Sequence, residues 1–197
     1  MSDRRRKKLL TVLVVAVTVG VVAMLGGMGA FSAFSSTTSN DNNSFATGSV
    51  TIGDNDAGAA MYQVSNKKPN DTVQTCIKLT YTGTLAADVH LYTTSSIGAL
   101  GQYLDMTVEK GTLSGAPAFP SCTGFTTQAT VFTGTLANFA STKTSFATGV
   151  AAYPGAQTQW NQNDALVYRF TLTVQDNNAA GGLTTGSHSF IWEAQNQ

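Results

Sequence analysis

An all-β fold, two packed antiparallel sheets in a sandwich of jelly-roll type, is what this sequence predicts, and three observations predict it. Apolar and polar residues alternate with a period of two in several stretches, as half-buried strands require. Clusters of Gly, Asn, Asp, Ser and Pro separate those stretches, and these are the residues that turns select. Charged residues make up only 11% of the chain, against roughly 25% in an ordinary soluble domain. Thr, Ser, Asn, Gln and Gly fill the gap, a composition that favours strands and turns over helices.

The strands come in order along the chain. Residues 44–52, "SFATGSVTI", read as the first strand of the domain. In residues 73–81, Val73, Thr75, Ile77, Leu79 and Tyr81 share one face, and Gln74, Lys78 and Thr80 the other. Leu104, Met106 and Val108 alternate with Asp105, Thr107 and Glu109. Leu166, Tyr168, Phe170, Leu172 and Val174 alternate with Val167, Arg169, Thr171 and Thr173. Phe190, Trp192 and Ala194 alternate with Ile191 and Glu193. Between them "SNKKPND", "YTG", "VEKGTLSGAP", "YPGAQ" and "QDNNAAGG" read as turns. A short helix or irregular insert fits "GTLANFA", around Leu136 to Phe139. No second domain, repeat array or heptad run is evident.

The N-terminus is of another kind. "RRRKK" precedes an apolar run from Leu9 to about Met28, a basic n-region with a signal or spanning segment behind it. The run exceeds the roughly 7–15 residues of a signal core and approaches the roughly 20 of a membrane helix, so length leaves both readings open. Gly20, Gly26, Gly27 and Gly29 weaken the end of such a helix, and Ala30 is the small residue a signal peptidase selects. Positive-inside orientation exports Phe31 and the residues after it in either case. The net charge of +0 hides this asymmetry: from Phe31 onward ten acids face six bases. No basic face remains for nucleic acid.

"RRRKKLL", the Val-rich run, "GMGAFSAFS" and "NSFATGSVTI" together resemble the TasA and camelysin family of SipW-dependent secreted proteins, and point to a Gram-positive, actinobacterial member. Two further segments are similar to that family: "KKPNDTVQTCIKLTYTGTLAADVHLY", with Asn70 where the family has Gly, and the closing "SFIWEAQNQ". The resemblance implies cleavage by a SipW-type signal peptidase between Ala30 and Phe31, although "FSAFSS" stands where the family often has Phe-Ser-Asp. It divides the chain into a signal peptide (1–30), membrane-spanning only before cleavage, a flexible arm (31–43) and a jelly-roll domain (44–197). It also implies an extracellular or cell-surface structural subunit that self-associates head to tail. In that assembly an arm carrying Phe31, Ala33 and Phe34 completes the sheet of a neighbour, an addition whose physics is that of any open strand edge. The bland reading of residues 31–43 is a frayed terminus, or aromatics folded back on their own sheet.

Cys76 and Cys122 are the two cysteines, and an exported chain most often pairs such thiols. The expected bridge staples a loop, "FPSCTGF", to the outer, polar face of the strand bearing Cys76. The alternative is two buried free thiols. Chemistry is sparse. A zinc peptidase commonly takes two His at helical spacing with a Glu base, and this chain has only His90, between Val89 and Leu91, and His188, read as opening the last strand. Asp54 and Asp56 in "GDNDAG" faintly suggest a calcium loop, but no later carboxylate completes the ligand set. No catalytic residue, cofactor or metal site is therefore expected. Two other functions remain as alternatives: a camelysin-type secreted metallopeptidase, and a monomeric or membrane-tethered surface protein that binds a ligand near Tyr153 and Trp160.

Overall fold

The computed structural model describes residues 46–196. The proposed signal segment, the scissile bond between Ala30 and Phe31, and the arm with Phe31, Ala33 and Phe34 lie outside the described residues. Residues Thr47–Gln197 make one compact unit. Its strands are β1 (Ile52–Asp54), β2 (Thr72–Tyr81), β3 (Ala87–Tyr92), β4 (Leu104–Leu113), β5 (Phe125–Thr135), β6 (Val150–Ala151), β7 (Ala165–Val174) and β8 (Ile191–Asn196), with one α-helix, α1 (Leu136–Thr142), after β5.

All pairings are antiparallel and form two sheets, of order β1-β2-β7-β4-β5 and β6-β3-β8. The chain therefore forms the predicted jelly-roll-type sandwich. Because side chains alternate across a strand, one face of each sheet supplies the core. Ile77, Leu79 and Tyr81 of β2, Tyr168 and Phe170 of β7, and Met106 and Val108 of β4 meet Val89 and Leu91 of β3 there. Trp160 is fully buried, and its indole N–H donates to the Ala152 carbonyl at 2.7 Å.

Helix α1 forms where the chain turns from the five-stranded sheet towards β6. The Thr135 hydroxyl accepts the Asn138 N–H at 3.1 Å and so satisfies a free donor of the first turn. Leu136 and Phe139 are buried, and the Phe139 ring stands edge-on to Phe132 and Phe190. The short helix around Leu136 to Phe139 is thus present.

Several boundaries differ from the sequence reading. Among the described residues the first strand is Ile52–Asp54, and residues 46–51 of the expected 44–52 strand are not part of it. The reason lies in its hydrogen bonds: the Thr51 carbonyl takes the N–H groups of both Thr82 and Gly83, and the Ser49 carbonyl those of Thr84 and Leu85. Such sharing wraps a turn and does not build a ladder. The "VEKGTL" part of a predicted turn is the second half of β4, which continues to Leu113 through two bulges against β5. Gly111 belongs there because a side chain at that position would strike the Phe125 ring and the Thr126 carbonyl. Strand β8 begins at Ile191, so His188 lies three residues ahead of it.

Candidate functional site

The residues that carry recognition potential fall into three places: the disulfide loop, the outer face of the three-stranded sheet, and the sheet edges. Cys76 and Cys122 are bonded, with Cα atoms 5.1 Å apart. The Cys76 side chain does point to the outer face, opposite Ile77, yet it is buried because the loop covers it. The same loop hydrogen-bonds the strand, the Cys76 N–H donating to the Pro120 carbonyl at 3.0 Å.

On the outer face of the three-stranded sheet, His90 of β3 lies opposite Glu193 of β8. Its ring stacks on Phe146 at 4.1 Å, with Nδ1 2.6 Å from the Phe146 carbonyl. The Tyr92 hydroxyl donates to Glu193 at 2.7 Å, and the Gln195 amide donates to the other carboxylate oxygen at 2.6 Å. These bonds hold the Glu193 carboxyl below the usual carboxylate range, the Gln195 bond most and then the Tyr92 bond. Tyr153 donates to Asp88 at 3.2 Å, and Lys110 holds the Tyr153 backbone carbonyl at 2.8 Å.

His188 is elsewhere. Its Nδ1 lies 3.1 Å from the Gly186 carbonyl and its Nε2 2.6 Å from the Tyr62 hydroxyl. One arrangement satisfies both: Nδ1–H donates to Gly186, and Nε2 accepts from Tyr62. Burial pushes the Tyr62 phenol well above its ordinary value. The structure does not bring the two histidines into one site. Asp54 and Asp56 also turn inward upon their own loop: Asp54 accepts the Asp56 N–H at 3.1 Å, and Asp56 the Gly58 N–H at 2.6 Å. That loop is a pair of Asx turns. Trp160 is a packed core residue, so the ligand-binding idea for "YPGAQTQWNQND" loses its platform. A shallow cavity of about 460 Å³, lined by Thr93, Ser95, Ser141 and Thr144 among others, gathers hydroxyls and no charged group.

The edges are unequal. β1 and β6 are three and two residues long, and β5 is broken by its two bulges. Beyond β1, the outer edge of β2 is blocked: Asn55 Oδ1 takes the Lys78 N–H at 2.8 Å, and Pro120 takes that of Cys76. Short edges, bulges and covering loops are the usual defences of a sheet against further pairing. Among the described residues β8 has none of them. Its six residues match β3 one for one without a shift. The sequence placed a strand there but gave no sign that it would be an edge.

Fold and contacts together define an all-β domain stapled by a disulfide, a bond that persists in oxidising surroundings. The chain belongs to the camelysin metallo-endopeptidase family, whose model matches residues 5–105. No curated protein matches the chain. The family's description implies a catalytic metal ion, and the described residues do not fit one. Among the described residues no group of three or more His, Cys, Asp or Glu could hold a metal. The cysteines are spent in the disulfide, and both ring nitrogens of His188 already have partners.

Proposed function

We propose that the protein is an exported structural subunit that self-associates head to tail, the N-terminal arm of one copy completing a sheet of the next. Export and cleavage by a SipW-type signal peptidase between Ala30 and Phe31 would free residues 31–43 as that arm. The observation that carries this reading is the mismatch of the two layers: a three-stranded sheet packs against a five-stranded one. A strand added to the smaller sheet gains both backbone pairing and an apolar underside. Phe31, Ala33 and Phe34 make the start of the arm apolar, with Phe31 and Ala33 on the one face of an extended strand that would meet that underside, and the polar residues behind them serve as a tether. A contact of this kind does not close on itself, so its product is a filament of the extracellular matrix or biofilm type.

Electron microscopy of the protein recovered from the medium, with and without residues 31–39, tests the proposal. Filaments that vanish with the deletion support it, and filaments that survive it overturn strand donation. N-terminal sequencing of the same material locates the cut. A protein that stays monomeric at all concentrations on size-exclusion chromatography returns the chain to the surface-protein reading.

A further inference from the structure

We propose that the outer face of the three-stranded sheet holds a lysine side chain of a partner polypeptide, its ammonium seated among Glu193, His90 and Gln195. Register brings these three residues together. Ala87, Val89 and Leu91 of β3 face the core, so Asp88, His90 and Tyr92 face outward. Across the pair, Gln195 stands opposite Asp88, Glu193 opposite His90 and Ile191 opposite Tyr92, and opposed residues have Cβ atoms only about 4.5–5.5 Å apart. His90, Tyr92, Ile191 and Glu193 are half-buried, and Gln195 is exposed.

Most hydrogens of this cluster are committed within it, and many of its lone pairs are not. A carbonyl oxygen only accepts, so His90 Nδ1, 2.6 Å from the Phe146 carbonyl, carries the proton, and Nε2 of the neutral ring is left as an acceptor. The Tyr92 hydroxyl is spent on one oxygen of Glu193 and the Gln195 amide on the other. A carboxylate has about four acceptor positions, so about half of them remain, beside the Gln195 carbonyl oxygen. No lysine or arginine neutralises Glu193 among the described residues: the ion pair there is Arg169–Glu109, and Lys110 holds the Tyr153 and Gly155 carbonyls. A negative site whose open positions mainly accept selects a cation that donates.

The kind of cation follows from the donor set. A zinc ion wants at least three protein ligands, and here one imidazole and one carboxylate converge, with no third such group among the described residues. A guanidinium docks best as a fork on both carboxylate oxygens, each of which already accepts a bond here. An ammonium is a compact charge with three donors, and these match Glu193, His90 Nε2 and Gln195 Oε1. Its stem has a track as well, because Tyr92 and Ile191, the next outward pair along the two strands, offer apolar surface to a lysine's methylenes. The carrier follows from shape. Small-molecule sites are clefts that bury most of their ligand, whereas this is a sheet face, so the ammonium has to arrive on a chain that makes contacts of its own.

Nuclear magnetic resonance of the isotope-labelled full chain reads the Gln195 side-chain amide and the His90 ring directly. The probe is a capped pentapeptide with one central lysine, titrated at about pH 8, where an ordinary imidazole is neutral and a lysine ammonium is charged. Both signals should shift saturably, and the same peptide acetylated on its lysine should shift neither. Glu193→Gln should abolish the response while the rest of the spectrum stays that of the folded protein. No shift at the two residues, an equal shift with the acetylated peptide, or a response that survives Glu193→Gln overturns the inference. Tighter binding of the arginine peptide or of zinc ion overturns the choice of lysine, and equal affinity for butylammonium overturns the polypeptide carrier. Should Glu193→Gln fail to fold, the comparison of the free and acetylated peptides on the unsubstituted protein decides alone.

Discussion

The phenol of Tyr168 and the indole of Trp192 lie with ring centroids 5.8 Å apart and planes tilted by 60°. Neither the hydroxyl nor the indole N–H has a hydrogen-bond partner among the described residues, although both atoms are buried. A buried unpaired hydroxyl costs stability, whereas its removal without a change of shape is nearly neutral or favourable. Tyr168→Phe should therefore leave the urea midpoint unchanged or raise stability by up to about 1 kcal/mol. A loss larger than that in equilibrium denaturation would mean that the hydroxyl is bonded in solution, through buried water.

The disulfide closes a loop of 46 residues in sequence separation. In the chain-entropy account, opening a loop of that length costs about 4 kcal/mol, and removal of native bridges typically costs about 2–5 kcal/mol. The double variant Cys76→Ala, Cys122→Ala should lose about that much in guanidinium unfolding. It should also loosen the Pro120 cover of β2, so hydrogen exchange at the Cys76 position should accelerate more than at Ile77, whose N–H faces β7. Equal acceleration at both would show that the loop holds its place without the bond.

Glu193 supplies a pH dependence whose sign can be worked out. Its folded pKa lies below the ordinary value of 4.5 because Gln195 and Tyr92 donate to the carboxylate. A depressed carboxyl pKa contributes stability above the unfolded value, and that stability is lost as pH falls through the folded one. The stability difference between the wild type and Glu193→Gln should thus be constant near neutrality and shrink below about pH 4.5. Thermal melts from pH 7 to pH 3 read it directly. A difference that does not change with pH would place these hydrogen bonds outside the energetics of the fold.

The period-two pattern made the paired strands legible, because alternation is a local property and the inner faces of β2, β4 and β7 are each continuous in sequence. β5 was not legible. Its run "FTTQATVFTGT" is mostly polar, since it lies at the margin of the sheet with only part of its inner face covered, by Phe132 and Val131. The cysteine pair could be read from the export context, and its burial could not, because the covering loop is remote from Cys76 in sequence. For the same reason nothing marked Tyr62 as the partner of His188, 126 residues away. That β8 ends its sheet among the described residues depends on which strands lie beside it, a relation that no single stretch of sequence contains.

Alkaline pH gives the last test, and it bears on the whole core. Burial raises the phenols of Tyr62 and Tyr168 far above their ordinary value of 10, and Tyr153 adds to the effect at Tyr168. A pKa raised in the folded state contributes stability that is complete below the unfolded value and is lost as pH rises towards the folded one. Stability should therefore begin to fall above about pH 10, and neither phenol should ionise while the sandwich is intact. Phenolate absorbance followed alongside far-ultraviolet circular dichroism should show these groups appearing only as the sheets unfold. Tyr168→Phe should remove part of that cooperative amplitude and leave the earlier, gradual titration untouched. Ionisation of Tyr168 well before loss of the β signal would instead show that the space between β7 and β8, where its ring meets Trp192, opens to solvent in the native state.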